Sequence, residues 1–91
     1  MPEFLLELYI SRADAASVDR GASRARRAAQ QLAGEGRSIR HLRSIYIPAE
    51  ETCFHLWEAT SVTDVEAAAD RAGLSRERIV EAVTPAIAAP D

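Results

Sequence analysis

The stretch TCFHLWEA, residues 52–59, decides how this chain is read. Its polar and apolar residues alternate, and a strand sends alternate side chains to opposite faces. Phe54 and Leu56, the more apolar set, are expected to face a core. Cys53, His55 and Trp57 then share the other face, which is neither an ordinary core nor an ordinary solvated surface.

Working outward, IRHLRSIYI (39–47) reads as a second strand, joined to the first by Pro48-Ala49-Glu50-Glu51 in an antiparallel hairpin. Its two registers are Ile39, His41, Arg43, Ile45 and Ile47 against Arg40, Leu42, Ser44 and Tyr46, and neither is purely apolar. Placing Ile45 and Ile47 toward the core leaves Leu42, Ser44 and Tyr46 on the opposite face. Near the N-terminus, EFLLELYI (3–10) is a strand with Phe4, Leu6 and Leu8 on one side and Leu5, Glu7 and Tyr9 on the other.

Ser11-x-x-Asp14 resembles a helix start, and Ala15, Val18, Ala22, Ala25, Ala29 and Leu32 then recur at steps of three and four until Gly34-Glu35-Gly36. Ser61-Val62-Thr63-Asp64 opens a second helix with Val65, Ala68, Ala69 and Ala72 on its stripe and Gly73 as its stop. Arg78 to Val83 is a last strand. The order βαββαβ predicts an α+β, ferredoxin-like fold: a four-stranded antiparallel sheet, first and third strands central, both helices on one face. Residues 1–84 are expected to form one domain and 85–91 a flexible tail.

A chain of 91 residues buries a modest fraction of its surface, so pairing into a dimeric α/β sandwich or barrel is expected. Hydrophobic residues at 47% and charged residues at 27% describe a folded protein. A net charge of −3 supplies no attraction to phosphate backbones or anionic lipid, so neither nucleic acid nor a membrane is expected as partner. Arg20, Arg24, Arg26 and Arg27 are read as a solvated helix surface. One cysteine forms no internal disulfide, and no leader or spanning segment is read, which predicts a reducing, cytoplasmic setting.

On these registers the face away from the helices gathers Glu7, Tyr9, Ser44, Tyr46, Cys53, His55 and Trp57. Three chemistries suit it. Aromatic area with a Glu7–His55 pair would serve a dimer interface. Imidazole, thiolate and carboxylate would serve a divalent transition metal, with Cys53, His55 and Glu7 as ligands and the surface residues His41, Glu50 and Glu51 equally available. Tyr9, Ser44, Tyr46 and Trp57 could line a small-molecule pocket in which His55, Glu7 and Tyr46 act as acid, base and oxyanion donor of a cofactor-free isomerase or cyclase. The metal signal is diffuse, with no Cys-x-x-Cys and no His-x-x-x-His. Gly34-Glu35-Gly36 closes a helix instead of opening one, so no nucleotide cofactor is expected.

MPEFLLELY, HLRSIYIPAEETCFHLWEA and ADRAGLSRERIVEAV together resemble the small bacterial nickel-responsive family, formerly a domain of unknown function. The likeness runs from Pro2 to about Val83. It implies a ferredoxin-like subunit that forms a homodimer, binds nickel and acts in nickel sequestration or response. The ligands to test for that role are Cys53, His55, His41 and Glu7.

Overall fold

The computed structural model describes residues 1–86. Eight elements follow in order: β1 (Glu3–Tyr9), a 3-10 turn (Arg12–Asp14), α1 (Ser17–Gly34), β2 (Ile39–Ile47), a second 3-10 turn (Pro48–Glu50), β3 (Thr52–Ala59), α2 (Val62–Ala72) and β4 (Arg78–Ala82). The sheet order is β2-β3-β1-β4 with every pair antiparallel, the ferredoxin-like arrangement expected from the element order. The tail expected over 85–91 lies mostly outside the described residues; Thr84, just before it, donates its hydroxyl to Glu3 Oε1 at 3.0 Å.

The expected start of the first helix is corrected. Ser11 Oγ accepts from the Ala13 amide at 3.2 Å and caps only the 3-10 turn, and α1 proper begins at Ser17. A short side chain bonded two residues ahead stabilises a turn in competition with a helix. Ser61 does stand at the start of α2, but without a side-chain cap. The Asp64 carboxylate instead pairs with Arg37 Nε at 2.9 Å, tying α2 to the segment that leads into β2. Gly73 ends α2 in the left-handed conformation, φ 69°, where only glycine avoids a Cβ penalty.

The larger correction concerns the faces. Phe4, Leu6 and Leu8 stand directly opposite Trp57, His55 and Cys53, and opposed residues of an antiparallel pair share a face. Cys53, His55, Trp57 and Ala59 therefore lie under the helices, all buried, while Phe54 and Leu56 are half-buried on the open face. The helices explain this phase. They meet the sheet mainly through alanines, Ala25, Ala28 and Ala29 from α1 and Ala68, Ala69 and Ala72 from α2, so bulk must come from the strands. The fully buried Trp57 indole supplies it, in an interior packed to crystal-like density.

In β2 the alternation breaks. His41 opposes Trp57 and Arg43 opposes Leu56, so Leu42 is an extra residue, a β-bulge. The bulge puts His41 and Ser44, three apart in sequence, on the same helix-facing side as Ile39 and Tyr46. Arg43, Ile45 and Ile47 face away, so Ile45 and Ile47 do not point to the core as expected; they are 44% and 36% exposed.

Candidate functional site

Beneath α1, the centre of the helix-facing layer is polar. Ser44 Oγ lies 2.6 Å from His55 Nδ1 and 3.1 Å from His41 Nε2, and the two ring nitrogens are 3.4 Å apart. On the far side of its ring, His55 Nε2 faces Cys53 Sγ at 3.7 Å. Trp57 meets the His41 ring edge-on, centroids 5.0 Å apart. Pleat and bulge build this cluster: His55 and Cys53 are two apart on central β3, and the displaced register of β2 brings His41 and Ser44 alongside them.

Burial governs the protonation of these groups. His41 and His55 are 7% and 1% exposed, and no carboxylate bonds either ring among the described residues. Burial pulls the His41 pKa down to about 4, helped by the Arg26 charge. His55 falls to about 4 through burial, the His41 ring and Arg24. Burial also pushes the Cys53 thiol up, so it is held as the neutral thiol. At neutral pH both imidazoles are uncharged, with lone pairs available.

Two buried polar side-chain atoms of the described residues lack a partner, His41 Nδ1 and Trp57 Nε1, and both belong to this cluster. Buried polar groups without partners are uncommon in folded proteins. His41 also lines a cleft of ≈ 360 Å3 between α1 and β2, whereas Cys53, His55 and Trp57 are enclosed behind it.

The structure brings together five of the residues singled out from sequence, Ser44, Cys53, His55, Trp57 and His41, with Tyr46 at their edge. Tyr46 is committed elsewhere, donating its hydroxyl to the Ile10 carbonyl at 2.7 Å. Glu7 and Tyr9 are on the opposite side of the sheet. Glu7 pairs with Arg78 at 3.4 Å and Tyr9 is 59% exposed. The sheet thus separates Glu7 from His55. Cys53 and His41 contact different nitrogens of His55, which point to opposite sides of one ring. Among the described residues no group of three or more His, Cys, Asp and Glu side chains is placed to hold a metal ion. What sequence reading missed was the clustering of His41 with His55. Its signal was the failure of β2 to give an apolar face in either register, which a bulge resolves.

The family model described as nickel responsive protein SCO4226-like matches residues 7–82. The chain belongs to the SCO4226-like nickel-responsive family. Among solved structures, that of SCO4226 from Streptomyces coelicolor A3(2) superposes with a TM-score of 0.61 at 17% identity, covering 92% of this chain and 99% of that one. At that identity the likeness concerns the fold. Among proteins of curated function, none matches the chain. No helix of the described residues is long and apolar enough to cross a membrane.

Family membership raises the question of whether these residues suit nickel. Neutral imidazole nitrogen is a good donor for nickel, copper and zinc. His41 Nε2 and His55 Nδ1 both face the Ser44 hydroxyl, so the donors present are two imidazole nitrogens, and an ion held between them would have to displace that hydroxyl. The remaining positions of any ion held there would fall to water or another molecule.

Proposed function

We propose that this protein binds a divalent transition metal, with nickel the ion its family points to, and serves in metal sequestration or response in the cytoplasm. The observation that carries the reading is the 3.4 Å separation of His41 Nε2 and His55 Nδ1. Two nitrogens bound at 2.0–2.1 Å to one tetrahedral ion stand about 3.3–3.4 Å apart. Both rings are neutral at pH 7, so no proton has to be displaced from either nitrogen's charged form. Cys53 acts outside the donor pair: with Nδ1 on the metal, His55 would keep its proton on Nε2, where the Cys53 sulfur at 3.7 Å is a weak acceptor. Glu7, across the sheet from both imidazoles and paired with Arg78, lies outside this donor pair.

A homodimer accompanies this reading. The open face of the sheet carries Leu5, Phe54, Leu56 and Val80 half-buried, together with the exposed Ile45 and Ile47. Both charge signs flank that patch, Arg40, Arg43 and Arg78 beside Glu3, Glu7 and Glu58, so a second copy turned about a two-fold axis can complement it.

The test is calorimetric titration of nickel into chelator-stripped protein at pH 7, repeated with His41→Gln, His55→Gln and Cys53→Ala. Saturable binding lost in both histidine variants and kept in Cys53→Ala is the expected result. Binding that survives both histidine substitutions, in variants shown to be folded by circular dichroism, would overturn the assignment.

A further inference from the structure

The bulge at Leu42 brings His41 to His55 and also sets the Ser44 side chain against both of the nitrogens that face each other. Ser44 Oγ is 2.6 Å from His55 Nδ1 and 3.1 Å from His41 Nε2, and among the described residues it bonds nothing else. The two nitrogens, 3.4 Å apart, have in turn no partners among the described residues except each other and this hydroxyl. Both rings are buried and Ser44 is half-buried.

A hydroxyl has one proton to give and lone pairs to accept with. It therefore serves a bare ring nitrogen as donor and a ring N–H as acceptor, whichever of the two rings carries the proton. The group that stabilises the metal-free pair is thus the group that stands where an ion would be held. Leaving a buried polar atom without its partner costs more than an average hydrogen bond contributes. An ion that takes both nitrogens replaces the hydroxyl at each of them, so the contribution of the hydroxyl belongs to the metal-free state alone. That contribution is a property of the protein before any ion arrives, and it is the same for every ion.

We infer that Ser44 is an internal competitor for the imidazole pair: its hydroxyl lowers the affinity for each divalent transition metal by a common factor and so sets the concentration at which the site fills. This rests on the metal reading of His41 and His55, and gives Ser44 a role opposed to that of a ligand.

Nickel and zinc chlorides are each titrated at pH 7, against a competing chelator, into chelator-stripped parent protein, Ser44→Ala and Ser44→Thr. Urea unfolding of the metal-free proteins is measured alongside and shows that each variant is folded. Ser44→Ala should bind both ions about tenfold more tightly, by factors that agree within about twofold, while its metal-free form loses the corresponding stability, about 1.4 kcal/mol. Ser44→Thr, which keeps the hydroxyl, should match the parent in both measurements. Adding His41→Gln to Ser44→Ala should abolish the tighter binding. Affinity that is unchanged or weaker in Ser44→Ala, or a gain for one ion alone, overturns the inference; the metal reading then stands if nickel binding to the parent still requires both histidines. Failure of the parent and of Ser44→Ala alike to bind nickel would overturn the metal reading and this inference together.

Discussion

Lowering the pH from 7 to 5 should remove a large part of the stability of this fold. His41 and His55 titrate near 6.5 when unfolded and about 4 when folded, so between those values the unfolded chain holds protons that the native state excludes. The sign follows: stability is unaffected by these rings above about pH 6.5, falls as the pH drops through that value, and the loss saturates below about 4. At pH 5 the linkage integral is about 2 kcal/mol per ring, or about 4 kcal/mol for both. Domains of this size have roughly 5–15 kcal/mol in total. The window lies above the carboxylate range, where Glu35 and Glu51 are held further down by Arg71 and the Arg12 amide respectively, so these do not contribute. Urea unfolding at a series of pH values, followed by the fluorescence of the single tryptophan, Trp57, measures the effect directly. A loss below about 1 kcal/mol between pH 7 and 5 would refute the argument from burial. An unchanged pH dependence in the His41→Gln/His55→Gln double variant would refute the assignment to these rings.

Further outcomes follow from the same geometry. Cys53 is fully buried and its thiol is pushed up by burial, so a thiol reagent at pH 8 should react only at the rate of unfolding and at once in denaturant. Gly73→Ala should cost about 1–2 kcal/mol, since φ is 69° and the added methyl group meets nothing within 4 Å, leaving only the backbone penalty. Gly34→Ala, at an equally open position without positive φ at the end of α1, should be neutral or stabilising by up to about 1 kcal/mol, and denaturant midpoints compare the two. Phe54→Lys on the open face should convert a dimer to a folded monomer in light scattering; a monomeric parent protein would remove the self-association proposal.

The order of the elements was legible in sequence, and so was the extent of each except α1, which starts at Ser17 after a separate 3-10 turn. β2 runs over Ile39–Ile47 as the pattern predicts, and β3 and α2 depart from it by a residue or so, because alternation, capping residues and glycine stops are local signals. The grouping of Cys53, His55 and Trp57 was legible too, since residues two apart on a strand must share a face.

Which face they share was not. Phe54 and Leu56 look like core residues to any local count, and only the partners reverse that reading: alanine-lined helices leave a volume that Trp57 fills, while β1 fixes the register that turns His55 inward. The meeting of His41 with His55 depends likewise on the bulge at Leu42, a shift in pairing between two strands that leaves only a blurred pattern in one of them. The amino-acid sequence by itself determined the βαββαβ plan and supplied the imidazoles, thiol and indole. The side of the sheet on which they lie, and hence the buried imidazole pair with its cleft, was decided by tertiary packing, because alternation fixes which side chains go together and only burial against a partner fixes where they point.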